Sequence, residues 1–365
     1  MEINECELDE SSSKAEIVKP VEVADVIART KGLGVSARKP PGVTARADQP
    51  RTAMPLQERM EAIARLTEKV IDLPMFQNCS TIIASMHVAR RINVRTPRGV
   101  LITGLTGSGK STIAKGYLED YPRYEGDDRT IIPVLYVELP SQPTAKAIAE
   151  RMLVAMGDPF SERGSTEQKL HRIRRLLVEC RVELIMLDEF QHITDRLDDR
   201  ARDIAGDMLK NMMNETNIPF VFLGGPSCRS YFLVNPQLGR RCSPKIDLAP
   251  FGVATSDQRR EFQKLMKALD ERLPFQGSSA LVDVKFARRL WMASFGLVGQ
   301  LTQLVGAALD IALSAGAPSL NIEHLSCGFS QSIYQGCPRS RNPFERSFDN
   351  MPLTQAGEPF HGFVA

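Results

Sequence analysis

The stretch "GLTGSGKST", residues 104–112, follows the apolar run "RGVLIT" and precedes a segment of helical periodicity. It fits the pattern G-x-x-x-x-G-K-[ST], with Gly104, Gly109, Lys110 and Ser111 at the defining positions. In a strand, glycine-rich loop and helix of this kind, glycines let backbone N–H groups converge on a phosphate at the helix N-terminus. The stretch therefore requires a strand–loop–helix unit and predicts a phosphate-binding loop (P-loop).

The residues of this loop have distinct expected roles. Lys110 should bridge the β- and γ-phosphates of ATP, and the Ser111 hydroxyl should be a ligand of Mg²⁺. The predicted nucleotide-binding residues are Gly104, Thr106, Gly107, Ser108, Gly109, Lys110, Ser111 and Thr112. ATP and Mg²⁺ are therefore the expected cofactors.

A second motif, "VELIMLDEF", ends an apolar run with Asp188 and Glu189. Asp188 is predicted to hold Mg²⁺ through its water shell and to contribute to the nucleotide site. Glu189 is predicted to be the general base that polarises the water attacking the γ-phosphoryl group. The alternative is a strand followed by two solvated carboxylates. With the P-loop, the motif predicts an ATPase.

Short apolar segments alternate with amphipathic helices between residues 97 and 253. This alternation predicts a parallel sheet covered by helices on both faces, with the strand Phe220–Gly224 inserted beside the P-loop strand. Residues 254–335 show only helical periodicity and predict a small helical lid domain. The expected fold class is α/β, with a P-loop parallel-sheet core and a C-terminal helical lid.

The flanking segments have other compositions. Residues 1–52 lack aromatic residues and contain "KGLG" and "RKPPG", which predicts a flexible N-terminal arm, either a solvated leader or a docking arm for a partner or DNA. Residues 53–96 predict two helices leading into the core. Residues 336–365 are rich in proline and polar residues and predict a C-terminal tail.

Composition limits the classes of partner. The formal net charge is only +2, so any DNA contact must come from local basic surfaces. The seven cysteines form no CxxC or Cys/His ligand pattern, which favours reduced thiols over disulfides or zinc. The acidic N-terminus "MEINECELDE" is unlike a signal peptide, and no apolar run has the length of a membrane span, so we expect a cytoplasmic protein without a membrane partner.

Two further segments bear on hydrolysis. "QLGRRC" puts Arg241, the first candidate, and Arg240, the second, just before the last strand, where a guanidinium can reach a neighbouring subunit's nucleotide. Such an arginine would make hydrolysis depend on assembly; the alternative is surface arginines or contacts with DNA phosphates. The tip of the inserted strand, "FLGGPSCRS", has no Asn or Thr, and Ser227 is the nearest candidate for contacting the γ-phosphate.

The segments "GLTGSGKS", "LIMLDEFQHI", "FVFLGG", "PQLGRRC", "DLAPF" and "GLVGQLTQLV", in this order, resemble the AAA+ ATPases of transposons of the TniB type, with TnsC and MuB as more distant relatives. The resemblance spans roughly residues 56–335. It implies a slow, ATP-dependent regulator that assembles on double-stranded target DNA as a ring or helical filament and passes the site to a DDE transposase. A target-selecting protein would load it. Where such lids often carry an arginine, this chain has Gln300.

The resemblance also directs the search for DNA contacts. If subunits encircle a duplex, lysines and arginines on inner loops should contact phosphates, with Arg123, Lys146 and Arg151 as candidates. Each has ordinary surface charge as its alternative. Two other functions stay open: a replication-initiator or clamp-loader-like AAA+ ATPase, and a nucleotide-gated scaffold with little turnover.

Overall fold

The computed structural model describes residues 53–66, 68, 71, 73–92, 99–277 and 279–363. The predicted N-terminal arm, residues 1–52, lies outside the described residues.

Five parallel strands form the central sheet. The strands of the chain are β1 (Gly99–Gly104), β2 (Tyr124–Glu125), β3 (Thr130–Ile131), β4 (Val134–Glu138), β5 (Leu184–Asp188), β6 (Phe220–Gly224) and β7 (Cys242–Leu248). The sheet has the order β4-β5-β6-β1-β7, and β2 and β3 form a separate antiparallel pair. Because β6 pairs with β1 on one side and β5 on the other, the predicted insertion beside the P-loop strand is confirmed.

Helices cover both faces of this sheet and continue beyond it. They are α1 (Leu56–Ala64), α2 (Pro74–Arg91), α3 (Lys110–Asp120), α4 (Ala145–Met156), α5 (Thr166–Glu179), α6 (Gln191–Arg196), α7 (Asp199–Thr216), α8 (Ser227–Val234), α9 (Pro236–Gly239), α10 (Ser256–Asp270), α11 (Val284–Ser294), α12 (Val298–Ser314) and α13 (Ile322–Ser332). Capping boxes begin three of them, at Ser165, Thr255 and Asn321, where a side chain satisfies backbone N–H groups that have no partner within the helix.

The strand residues alternate between two apolar cores. Val100 and Ile102 of β1 pack into the core shared with α2, α3 and the lid, whereas Leu101 packs into the core formed with α4, α5 and α7. Successive side chains of a strand point to opposite faces, so a strand covered on both sides must be apolar throughout. This explains why β1, β5 and β6 are buried at every residue.

The lid consists of α10 to α13 and is tied to the N-terminal helix. Arg59 of α1 pairs with Asp310 of α12 at 2.8 Å, and the Met54 N–H donates to the Leu313 carbonyl at 3.1 Å. The Arg272 guanidinium donates to the Leu66 carbonyl at 2.8 Å. Helix α1 and the residues that flank it are therefore attached to the lid.

The C-terminal segment, predicted as a tail, packs against the lid. Phe344, Phe348 and Phe360 are buried in the same core as α11 and α12, and the Phe295 and Phe360 ring centroids lie 5.6 Å apart. Arg341 donates to both carboxylate oxygens of Asp349, each at 2.8 Å, and to Glu358. Among the described helices none alone has the length and apolar composition of a membrane span, although α11 and α12 reach them together across a 111° bend.

Candidate functional site

The P-loop connects β1 to α3 in a conformation that its glycines permit. Gly107 and Gly109 have φ values of 82° and 98°, which residues other than glycine rarely adopt. A Cβ on Gly109 would also lie 3.2 Å from Cζ of Phe76 in α2. The loop thus exposes its backbone at the first turn of α3, as the sequence predicts.

The Lys110 side chain folds back over the loop. Its Nζ donates to the Gly104 carbonyl at 2.8 Å and to the Leu105 carbonyl at 3.0 Å. Burial lowers the pKa of Lys110 below 10.5, an effect opposed by the nearby carboxylates of Asp188 and Glu189. Lys110 and Glu189 line the same cavity.

Ser108 is an orphaned donor in the same loop. Its hydroxyl is buried and has no hydrogen-bond partner among the described residues. A buried polar group without a hydrogen-bond partner destabilises the fold, and an anion bound at the helix N-terminus would supply the missing acceptor. Ser111 and Thr112 follow in the first turn of α3 and line the adjoining cavity. The donor set fits a phosphate group, with Ser111 available to a cation.

The acidic pair lies at the carboxyl end of β5. Asp188 is buried; its Oδ1 accepts from the Glu189 N–H at 2.8 Å, and its Oδ2 accepts from the Tyr136 hydroxyl at 2.7 Å. Burial and the Asp188 carboxylate both raise the pKa of Tyr136, so the phenol keeps its proton and stays a donor. Tyr136, which lies on the neighbouring strand, orients the carboxylate that is expected to hold Mg²⁺.

Glu189 has an unusual backbone conformation and a specific partner. Its φ is +57°, uncommon for a residue with a side chain. Gln191 Nε2 donates to Glu189 Oε2 at 2.5 Å, and Gln191 Oε1 accepts from the Gly225 N–H at 2.9 Å. Sequence reasoning missed Gln191 and Tyr136; the glutamine in "DEFQ" was the only signal for the first.

A cavity of about 1260 Å³ joins these elements. Its polar end is lined by the P-loop, by Glu189 and Gln191, and by Ser227 after β6. Its apolar wall comes from α1, the segment between α1 and α2, α2 itself and α12, through Met60, Ile63, Leu66, Ile71, Phe76 and Val298. Polar groups at one end and apolar side chains at the other suit a ligand with a phosphate chain and a flat, largely apolar base.

The lid contacts the P-loop directly through backbone atoms. The Gly299 N–H donates to the Gly107 carbonyl at 2.8 Å, and a Cβ on Gly299 would lie only 2.9 Å from Gly107 Cα. Gln300, the residue at the expected arginine position, is half-buried, and the lid residues lining the cavity include its neighbour Gly299. At the nucleotide site, helix α12 therefore contacts the P-loop through Gly299.

The two candidate arginines before β7 have different surroundings. Arg241 is half-buried, with Nε donating to Asn214 Oδ1 at 3.1 Å and Nη1 to the Gln237 carbonyl at 2.5 Å. Arg240 is exposed, and its side chain makes no hydrogen bond or ion pair with the described residues. Arg240 is thus exposed, whereas Arg241, the first candidate from the sequence, is held by Asn214 and Gln237.

The three candidate DNA contacts lie on or beside one helix. Lys146 and Arg151 are exposed on α4, and Arg123 donates to the Ala155 carbonyl at the end of that helix at 2.5 Å. The candidate sensor Ser227 is also exposed, and its Oγ lies 3.1 Å from the Thr194 hydroxyl. The structure brings Ser227 to the cavity, whereas α4 contributes no residue to the cavity lining.

Comparison with known proteins gives the family and the fold. The family described as "Bacterial TniB protein" matches residues 67–250, whereas a search of curated proteins finds no significant match. The Aeropyrum pernix ORC2 protein, solved as ADPNP-ADP complexes, is 18% identical over 76% of this chain and 73% of its own, with a TM-score of 0.54. Cdc6p from Pyrobaculum aerophilum is 14% identical over 76% and 72%, with a TM-score of 0.56.

At these identities the two structures are evidence for the fold alone. They confirm the predicted fold, a parallel-sheet α/β core followed by a helical C-terminal region. The family match is more specific, because it covers half of the chain and contains the P-loop, the acidic pair and both candidate arginines. This chain belongs to the TniB family of bacterial proteins.

Proposed function

We propose that this protein is an ATP-dependent regulator of transposition that oligomerises on double-stranded target DNA and recruits or activates a DDE transposase. The observation that carries the ATPase part is the meeting of Lys110 and Glu189 in one cavity, with Asp188 beside them. Membership of the TniB family supports the transposition part. The ORC and Cdc6 fold is shared with initiators, so by itself it favours neither role.

In this proposal the chain binds ATP with its phosphates in the P-loop. Lys110 exchanges its contacts with the loop carbonyls for oxygens of the β- and γ-phosphates, and the free Ser108 hydroxyl gains a partner. Bound Mg²⁺, held by Ser111 and by Asp188 through water, would neutralise phosphate charge. The apolar wall of the cavity receives the base.

Glu189 then acts on the attacking water. The carboxylate accepts a water proton while the water oxygen bonds to the γ-phosphorus and the bond to the β-phosphate oxygen breaks, which yields ADP and phosphate. Asp188 orients this segment through the Glu189 N–H. A general base contributes about 10²–10⁴ in rate, so Glu189→Gln should abolish most hydrolysis.

The cavity of one chain supplies little positive charge to the γ-phosphate. In the described part of the chain the lysines and arginines that line it are Lys110, Lys115 and Arg272, and Arg272 donates to the Leu66 carbonyl. We therefore propose that Arg240 of an adjacent subunit completes the site, which would make hydrolysis slow and dependent on assembly. Arg241 is the second choice because it is held by Asn214 and Gln237.

The test combines phosphate release with electron microscopy on duplex DNA. Wild type with a non-hydrolysable ATP analogue should form rings or filaments on DNA, Lys110→Ala should form none, and Glu189→Gln should assemble with ATP without releasing phosphate. Undiminished assembly by Lys110→Ala would refute nucleotide gating. An equally low rate for wild type and Glu189→Gln would indicate a scaffold with little turnover. Stimulation of a co-encoded transposase by wild type with ATP would separate the transposition role from that of an initiator.

A further inference from the structure

The tip of β6 carries no polar side chain of its own, and side chains from neighbouring segments lie against it. The strand ends in Gly224, which Gly225 follows, and a Cβ on Gly224 would lie 2.4 Å from Cys228 Sγ and 3.2 Å from both the backbone N and Oε1 of Gln191. A Cβ on Gly225 would lie 3.5 Å from the Gln191 Cβ. Gly224 therefore leaves room for Cys228, and the Gln191 side chain of α6, the helix that follows β5, packs against both glycines and puts an amide beside the β6 tip.

Two hydrogen bonds fix the orientation of this amide. The Gly225 N–H can only donate, so the atom that faces it at 2.9 Å must be the Gln191 oxygen. The nitrogen Nε2 consequently points to Glu189 Oε2, 2.5 Å away, and an ionised carboxylate can only accept. Gln191 thus links the proposed general base to the backbone of the β6 tip.

The same amide faces the polar end of the nucleotide cavity. Gln191 lines this cavity together with Lys110, Glu189, Gly225 and Ser227. Its Nε2 carries two hydrogens, and phosphate oxygens are strong acceptors for amide donors. A γ-phosphoryl group next to Lys110 would therefore be a second acceptor for Nε2, and its negative charge would repel the Glu189 carboxylate from the same amide.

Other polar groups near Glu189 are less suited to this competition. Ser227 Oγ lies 3.1 Å from the Thr194 hydroxyl, and Ser227 is exposed. His192 Nε2 lies 3.8 Å from Glu189 Oε2, beyond hydrogen-bond distance, and its Nδ1 lies 3.2 Å from the Leu139 carbonyl. Gln191 is the group that contacts both Glu189 and the β6 tip.

Resting on the proposed ATPase function, we infer that Gln191 is the γ-phosphate sensor of this site. Without a γ-phosphate, as with ADP, Gln191 holds the Glu189 carboxylate. When ATP binds, a γ-phosphate oxygen accepts a hydrogen bond from Gln191 Nε2, and the Glu189 carboxylate becomes available to take a proton from water. Because Gln191 Oε1 is bonded to the Gly225 N–H, the same exchange alters the tip of β6 and the start of α8. The loop after β5 thereby supplies the sensing side chain that the β6 tip lacks.

The test compares two substitutions with a matched control. Gln191→Ala removes the amide, whereas Gln191→Glu keeps an acceptor for Gly225 and removes the donor. Gln335→Glu makes the same chemical change at an exposed glutamine of the segment after α13. Phosphate release, ATP affinity and assembly on DNA with ATP or ADP are measured for each, and thermal melting checks the fold.

We expect kcat for Gln191→Ala to fall about 10- to 100-fold, because the transferring phosphoryl group loses a donor as its charge develops. KM should change less than about threefold, because Gln191 exchanges one acceptor for another when ATP binds. Assembly on DNA should also lose its preference for ATP over ADP, a result that a structural role alone would not produce. Gln191→Glu should show the same loss of kcat, and Gln335→Glu should behave as wild type. Wild-type kcat and ATP preference in Gln191→Ala would overturn the inference. A wild type that neither binds nor hydrolyses ATP would instead overturn the proposed function.

Discussion

Gly299→Ala should separate the lid from the P-loop. A Cβ at this position would lie 2.9 Å from Gly107 Cα and 3.1 Å from the Gly107 carbonyl oxygen. Both atoms belong to the backbone of the P-loop, so neither can rotate away as a side-chain end could. The N-terminus of α12 must shift, and the 2.8 Å hydrogen bond from the Gly299 N–H to Gly107 is lost or lengthened.

The cost follows from this geometry. Overpacking by one methyl group against a rigid neighbour costs about 1–3 kcal/mol, and loss of one hydrogen bond adds about 0.5–1.5 kcal/mol. Partial relaxation of the lid will reduce this cost, so the substitution should destabilise the closed conformation of the lid by about 1–3 kcal/mol. If ATP binds with the lid closed, its Kd should rise about 5- to 150-fold.

A fluorescent ATP analogue titrated against wild type and Gly299→Ala measures this change. Gly277→Ala is the control, because a Cβ there has no atom within 4 Å. ADP affinity should fall by a similar factor, since the contact is with the loop that holds the β-phosphate. Wild-type affinity in a Gly299→Ala protein of unchanged melting temperature would refute the reasoning.

Three further outcomes are expected. Tyr136→Phe leaves a buried Asp188 oxygen without its 2.7 Å donor, which should cost about 1–3 kcal/mol in urea unfolding; an unchanged midpoint would contradict this role. Arg240→Ala subunits mixed with Glu189→Gln subunits should regain ATPase activity at shared interfaces, and no recovery at any ratio would exclude Arg240. Burial lowers the pKa of Lys110 in the folded protein, so between this lowered pKa and 10.5 the unfolded chain binds more protons than the folded one. The free energy of unfolding should therefore rise with pH toward 10.5, and melting curves of Lys110→Met at different pH should lack this rise.

The parts of the site that depend on local pattern could be predicted from the sequence. The P-loop needs a strand, fixed glycine spacing and a helix, all within residues 99–120, and the structure has them in that order. Asp188 ends a buried strand for the same reason. The position of β6 between β5 and β1 was also predictable, given the P-loop and the acidic strand.

The missed features depend on contacts between distant segments. Gln191 reaches Gly225 across two strand tips, and Gly299 reaches Gly107 across two domains. Neither residue type signals such a role, because glutamine and glycine are common in loops and helix starts. The contact between Arg241 and Asn214 of α7 likewise joins segments that only the tertiary structure brings together. Packing, which local periodicity does not encode, decided each of these points.

These contacts suggest that two parts of the protein respond to the bound nucleotide, namely the lid and the tips of β5 and β6. The lid meets the P-loop through the backbone of Gly107 and Gly299, without a charged group, so its closure should depend on loop conformation and should respond to ATP and ADP alike. Under the proposal for Gln191, discrimination of the γ-phosphate comes from the tips of β5 and β6, where Gln191 links Glu189 to Gly225. Helix α8 follows directly after that tip, and Arg240 follows α9, which in turn follows α8. A shift at Gly225 can therefore be transmitted through α8 and α9 to Arg240. In the proposed assembly, the γ-phosphate bound by one subunit would thus control whether its Arg240 enters the nucleotide site of the next subunit.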